Sequence, residues 1–482
     1  MSDDRTGTGK VPNTGKLRTF TGEFARRKGP TNPLPVDSAP QPVAAPGSAP
    51  TAEAFETDTI SSIFEDPRSI EATRIPQPFL ADLALKTLYF GGAMPGGQIA
   101  LAMRLHFSSV IEPILRSLKA QHLVEVTGGS SLNAATYQYA ITNKGGERAR
   151  ELLERNRYVG PCPVTLRHYI EAIEYQAKRR ILVKQAAVHN AMRGLILADD
   201  VFERIGPAVN SNESVFIYGP PGNGKTSIAK AIGLHLLPGN VMVPHAIYED
   251  GQVIKVFDPE THRPLDPEEN QAMEISSVDK RWVRCFPPIV ITGGELTLSD
   301  LDLAWSDTNR YYEAPLQLKA NGGILVIDDF GRQRMSPTDL LNRWIVPLED
   351  HIDYLTFHTG KKFPVPFKTL LVFSTNLDPK SLVDEAFLRR ISHKLRVDNP
   401  SKKQFFDIFR AVCDNWGIEF NEEAFKFLLR KYYIDLNRPL RACHPRDLLK
   451  QMISFATYQE KPLAMSIELM DMAASSYFEF ID

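Results

Sequence analysis

Eight consecutive residues, Gly219-Pro220-Pro221-Gly222-Asn223-Gly224-Lys225-Thr226, carry the pattern GxxxxGK[ST], and Ser227 follows them. That pattern suits the holding of a phosphate chain. Glycines let successive backbone N–H groups turn inward around the phosphates, and the positive end of a following helix adds to the attraction. Lys225 is expected at the β- and γ-phosphates of ATP, and the Thr226 hydroxyl on Mg²⁺. Such a loop needs an acidic partner at the end of another buried strand. The run Ile324-Leu-Val-Ile327 followed by Asp328-Asp329 supplies one about a hundred residues on. Asp328 is expected to hold Mg²⁺, directly or through water, and Asp329 to orient or deprotonate an attacking water. The chemistry these residues point to is hydrolysis of ATP to ADP and phosphate.

Several elements must position these groups. Val215–Tyr218 reads as the buried strand before the loop. Thr226–Leu237, with Ile228, Ile232 and Leu236 recurring, reads as the helix after it. Ile289–Thr292, Ile324–Ile327 and Leu370–Ser374 are further short apolar runs separated by helical patterns, which predicts a parallel α/β sheet over residues 205–398. From about Asn399 the chain reads as helical to residue 482. Met242–Arg284 interrupts the core and includes a hairpin pattern, Ala246–Phe257, with Asp250-Gly251 as its turn; its role is unassigned.

Upstream, residues 1–75 are rich in Pro, Ala, Gly, Ser and Thr, and read as a disordered tail that has too little to bury. Residues 76–157 read as helices over Phe79–Phe90, Ile99–Leu105 and Ser108–Leu123. A hairpin (Leu123–Val126, Tyr137–Thr142) and a last helix, Glu147–Asn156, follow. That is the order of a winged helix-turn-helix. Residues 158–204 read as a helical linker.

Composition bounds the rest. The chain has 482 residues, a net charge of −2, 43% hydrophobic and 24% charged residues, a globular balance with no global pull toward nucleic acid or anionic membrane. Its four cysteines are far apart and form no CxxC pair, which argues against a disulfide framework or zinc ribbon and fits a reducing compartment. The first ten residues lack a secretory apolar region. No stretch reaches the roughly 18 unbroken apolar residues of a membrane helix, so a cytoplasmic protein without a membrane span is expected. No HExxH or GxSxG constellation appears.

Taken together, residues from about 180 to 475 resemble an AAA+ ATPase module, an α/β core with a C-terminal helical lid. The resemblance implies three further roles. Asn376, at the end of Leu371-Val-Phe-Ser-Thr-Asn376, stands where the sensor-1 residue positions the hydrolytic water. Arg389 or Arg390, in Asp384–Arg390, stands where an arginine finger reaches a neighbouring subunit's γ-phosphate. Arg446, in Cys443-His-Pro-Arg446-Asp, resembles sensor 2, with Arg441 as its competitor. Tyr354–Phe367 looks like the hairpin inserted before sensor 1 in MoxR-like and RuvB-like proteins. With "GGELTL" (293–298), "ANGGILVIDDFGRQ" (320–333) and "LLNRWIVPLED" (340–350), the whole resembles an uncharacterised bacterial family of predicted chaperone-type ATPases, some linked to Flp pilus assembly. Asp329 departs from the usual Glu. The resemblance implies a homo-oligomeric ring, commonly a hexamer, that remodels a protein client. The alternative is a DNA-acting ATPase that uses the winged helix. Ser108–Lys119 weakens the latter, because it offers only Arg116 and Lys119 as bases against Glu112.

Overall fold

The computed structural model describes residues 62–479, apart from 129–133, 180–181, 238, 266–277 and 383–384. Most of the expected tail, and the hairpin turn after Gly128, lie outside the described residues. Residues 62–75, grouped with the tail on composition, are packed. Phe64 is buried with its ring edge-on to Trp282 at 5.2 Å, and its carbonyl accepts the Asp279 N–H (2.8 Å). Ile63, Phe64, Ile70 and Ile75 give this stretch the apolar content that the upstream run lacks.

Helices Gln77–Gly91, Gly96–Met103 and Glu112–Ala120 pack against a small antiparallel sheet of β1 (Met94–Pro95), β2 (Val124–Gly128) and β3 (Gln138–Ile141), in the order β1-β3-β2. Leu80, Leu83, Ile99, Ile111 and Leu115 fill its core. Pro113 sits in the first turn of its helix, where its missing N–H costs nothing. Helix Asn143–Arg155 follows, capped by Thr142, whose Oγ1 accepts the Gly145 N–H at 3.0 Å.

The remaining strands, in chain order, are β4 (Val164–Thr165), β5 (Val215–Tyr218), β6 (Val241–Pro244), β7 (Ala246–Glu249), β8 (Gln252–Lys255), β9 (Trp282–Cys285), β10 (Ile289–Thr292), β11 (Ala304–Ser306), β12 (Tyr311–Glu313), β13 (Ile324–Ile327), β14 (Ile352–Thr356), β15 (Lys362–Pro366), β16 (Leu370–Thr375) and β17 (His393–Arg396). The central sheet runs β10-β13-β16-β5-β17, and every neighbouring pair is parallel. Its inner strands are apolar up to their C-terminal ends, where β16 closes on Ser374-Thr375, because both faces are covered. Ile217, Val326 and Val372 enter one core with Ile228 and Ile205. Phe216, Leu325 and Phe373 enter the other with Phe330 and Trp344. Strand β17 escaped the sequence reading because it is an edge strand in which only Leu395 is buried.

A second sheet, β11-β12-β8-β7-β4, takes its β7 and β8 from the 242–284 interruption, whose two ends pair as β6 with β9. Strands β7 and β8 form the expected hairpin, with Asp250 (φ 53°) and Gly251 (φ 79°) both left-handed at its turn. The segment grouped as a helical linker divides its allegiance. Strand β4 pairs with β7, and the Leu166–Lys178 helix places Tyr169 and Ile173 in the same core as Ile247 and Ile254. Val188 and Val201, in helices Gln185–Ala191 and Asp199–Ser211, join the central-sheet core instead. From Lys402 the chain is helical, with Phe405, Phe409, Leu449 and Met470 in its own core. Among the described residues, no helix is long and apolar enough to cross a membrane.

One buried ion pair ties distant segments together. Arg281 Nη2 and Asp279 Oδ2 lie 2.7 Å apart, both groups almost fully buried. Arg281 Nη1 also donates to the carbonyls of Thr73 (2.9 Å) and Pro163 (3.4 Å). Removing one partner strands a charge in the interior, so Arg281→Ala is expected to cost about 3–5 kcal/mol locally. Arg281→Lys should not restore it, since an ammonium cannot reproduce the planar fork. Hydrogen exchange over 62–75 and 279–285 checks this: both variants should lose protection there.

Candidate functional site

The loop 219–224 joins β5 to helix Lys225–Ala231, which continues as a wider turn over Ile232–Leu236. Two of its glycines are required by their surroundings. A Cβ on Gly219 (φ 137°) would lie 2.2 Å from the Val397 carbonyl oxygen, and one on Gly222 (φ 80°) would lie 2.6 Å from Cys443 Sγ. The loop is held from two sides. Asn223 Nδ2 donates to Asn399 Oδ1 (2.8 Å), just past β17. Its Oδ1 accepts the Ala442 N–H (3.1 Å), and the Cys443 N–H donates to the Gly222 carbonyl (2.8 Å). The segment leading into helix His444–Tyr458 therefore rests directly on the loop.

Lys225, 6% exposed, donates to the carbonyls of Gly219 (2.9 Å) and Pro220 (2.8 Å) and to Asn376 Oδ1 (2.6 Å). Burial lowers its pKa, opposed by the charges of Asp329 and Asp328. Asn376 Nδ2 donates to Asp329 Oδ1 at 2.9 Å. The amide orientation follows from its neighbours, because an ammonium only donates and a carboxylate only accepts. Thr226 Oγ1 donates to Asp328 Oδ2 at 2.8 Å. A hydroxyl and a carboxylate oxygen this close are the hard donors that Mg²⁺ takes, with waters completing its octahedron. The sheet register explains the convergence. Tyr218 pairs with Thr375, and Phe373 with Ile327, so the loop, Asn376 and the acids all leave the same edge.

The arginines lie elsewhere. Arg389, with its side chain 76% exposed, pairs with Glu385 one turn back (2.8 Å). Arg390 pairs with Glu349 of helix Pro337–Asp350 at 2.5 Å. Arg446 is 67% exposed and faces Asp447 at 3.3 Å. Arg441 is nearer the loop: its Cδ lies 3.6 Å from where a Gly222 Cβ would be.

Sequence reasoning missed a small cleft beside Asn223. Ile196, Leu197 and Val201 form an apolar wall; Asn399, Gln404 and Ala442 supply polar side chains and backbone opposite. Asp200, Arg396 and Asp398 also line it, so apolar and polar groups meet there, as the faces and edges of a planar heterocycle require. No local pattern announces it, because its lining comes from four separated stretches.

Residues 401–476 match a family described as a domain of unknown function (DUF8689). No curated protein matches the chain. Similar solved structures include NtrX from Brucella abortus in complex with ADP, 14% identical over 61% of this chain and 55% of that one, with a TM-score of 0.36. They also include the Thermotoga maritima RuvB Holliday junction branch migration motor, 15% identical over 68% of this chain and 73% of that one, with a TM-score of 0.31. The chain spans about half the length of NtrX (55%). Likeness at this level assigns neither ligand nor activity.

Beside the loop contact, His444 is buried, with Nδ1 2.9 Å from the Tyr433 hydroxyl. Burial, reinforced by Arg441, lowers its pKa to about 4. The fold thus holds the neutral ring. Its stability contribution is complete above the unfolded value of about 6.5 and is lost as pH falls toward the folded one. At pH 5 the expected cost is about 2 kcal/mol. Hydrogen exchange over 405–478, corrected for intrinsic rate, should show lost protection between pH 7 and pH 5. His444→Gln should flatten that difference.

Proposed function

We propose that this chain is an AAA+-type ATPase that binds ATP with Mg²⁺ and hydrolyses it at a site completed by a neighbouring subunit of a ring. The observation that carries the reading is the connected set of side chains at one sheet edge: Lys225 to Asn376 to Asp329, with Thr226 on Asp328.

In this reading the loop Gly219–Gly224 offers its N–H groups to the phosphates. Lys225 exchanges two carbonyl partners for phosphate oxygens, a charge-assisted gain. Thr226 and Asp328 hold Mg²⁺, which when bound neutralises charge on the β- and γ-phosphates. Asp329, aligned by Asn376, accepts a proton from the attacking water. The cleft beside Asn223 takes the base. Arg441 and Arg446 are assigned to the nucleotide's charge, Arg441 because its side chain lies beside Gly222. Arg389 is the finger: it is the more exposed arginine, and its i,i+4 pair is worth only about 0.3–0.5 kcal/mol. The β14–β15 hairpin before β16 supports the MoxR-like and RuvB-like form of the reading. A protein client is favoured over DNA because helix Glu112–Ala120 carries only two bases, Arg116 and Lys119, with the acid Glu112 beside them; DNA contact wants clustered cations.

Lys225→Ala should abolish phosphate release and weaken binding of a fluorescent ATP analogue; turnover at the wild-type rate would sink the site. Asp329→Asn should keep binding and lower kcat by about 100-fold or more. Mixing Asp329→Asn with Arg389→Ala subunits should recover part of the activity, since one interface type in the mixed ring carries both intact groups. No recovery in rings shown to be mixed would remove the shared-site part. Retention of duplex DNA, but no protein, by the ATP-loaded Asp329→Asn form would favour the DNA-acting alternative.

A further inference from the structure

The turn after β13 has an unusual geometry at its catalytic position. Asp329 is left-handed (φ 48°) although it carries a side chain. L residues rarely hold that conformation without support. Part of the support comes from Phe330, whose ring is buried between Phe216 and Phe373. Its N–H donates to the Ser374 carbonyl (2.7 Å), and its own carbonyl accepts from Thr375 Oγ1 (2.7 Å). These bonds tie the residue after Asp329 to β16.

The carbonyls of the two peptides flanking Asp329 share a further partner, beside the Arg332 N–H that donates to the second of them (2.9 Å). Gln333 Nε2 donates to the Asp328 carbonyl (3.0 Å) and to the Asp329 carbonyl (3.2 Å). It also lies 3.4 Å from the Gly293 carbonyl, and its Oε1 accepts the Gly331 N–H (2.8 Å). Gly293 is itself fixed, because its N–H donates to Glu295 Oε1 (2.9 Å), just past β10. The first carbonyl belongs to the peptide preceding Asp329 and the second to the peptide following it. Those two planes define the φ and ψ of Asp329, and so where its carboxylate points. We infer that Gln333 is a positioning residue for hydrolysis: one side-chain amide ties the two planes to each other and, with the Phe330 bonds, keeps the Asp329 carboxylate on Asn376. This rests on the ATPase reading. It adds a specific requirement, an amide at 333, that the phosphate-binding residues do not impose.

Two variants separate positioning from simple folding support. Gln333→Glu keeps an acceptor for the Gly331 N–H but loses both donors and sets a carboxylate against carbonyl oxygens. Gln333→Ala removes everything. In the full chain with Mg²⁺, both should lower kcat by about 10- to 100-fold. The Kd for a fluorescent ATP analogue should stay within about twofold, and the melting midpoint should not move, because neither variant touches the loop or the core. A kcat within twofold of wild type in both variants would overturn the inference. So would a kcat loss matched by equal losses of binding and melting temperature. Wild type and Lys225→Ala, run alongside, report on the ATPase reading itself. A wild type without turnover, or a Lys225→Ala variant that keeps it, sinks that reading and this inference together. An active wild type, an inactive Lys225→Ala and a fully active Gln333→Ala sink this inference alone.

Discussion

Lys225 is a nearly buried cation whose bonded partners are two loop carbonyls and one side-chain amide, none of them charged. That arrangement holds the ammonium without neutralising it, which suits the phosphate contact proposed for it. It also constrains everything around it. The amide must come from the strand between β5 and β13, because only β16 is adjacent to both. An Asn amide meets the need, because its far end donates to a carboxylate while its near end accepts from the ammonium. The loop must approach Val397 and Cys443 too closely for side chains at 219 and 222. The sheet order, the glycines and Asn376 are thus consequences of one requirement: a cation held in place but left unpaired.

The second sheet enters the same logic from further away. Helix Pro337–Asp350, which follows the acids, is tied to β14 by the partly buried pair Arg343–Asp353 (2.5 Å). Strand β14 belongs to the hairpin whose far end docks on the second sheet. There Lys361 pairs with Glu249 (3.1 Å) and Asp250 (2.8 Å), and His358 lies against Trp305 and bonds the Tyr312 hydroxyl. The hairpin tip is therefore engaged within this chain, and any displacement of the helix after Asp329 bears on the second sheet.

Legibility in the sequence followed locality. The loop, the two acids and four of the five central strands are contiguous runs, each with its own periodicity or motif, and could be read one at a time. The β7–β8 hairpin was legible for the same reason, since Asp250-Gly251 is a local turn signal. What could not be read was set by distant partners. Strand β17 is an edge with one buried residue. Residues 62–75 are packed because Trp282 and Arg281 lie over two hundred residues away. The split of 158–204 between two sheets depends on where β7 falls in space. At the site itself, Asn223 and Gly222 occupy variable positions of the motif, yet they carry the contacts to Asn399, Ala442 and Cys443.

Those contacts bear on how a bound ligand could move the C-terminal helices. Asn223 lines the cleft and bonds both the segment past β17 and the segment before helix His444–Tyr458. An object placed in the cleft must therefore act on one side chain that two structural units share. The loop cannot relax away from the C-terminal helices without breaking the Gly222–Cys443 backbone bond, nor approach them further, since Cys443 already fills the space a Cβ would take. The coupling is stiff in both directions. Because His444 is buried immediately beyond it, the same short segment, 441–444, links the shape of the loop 219–224 to the packing of Tyr433 and Phe478. Transmission from the site to the helical unit needs no longer path than those four residues.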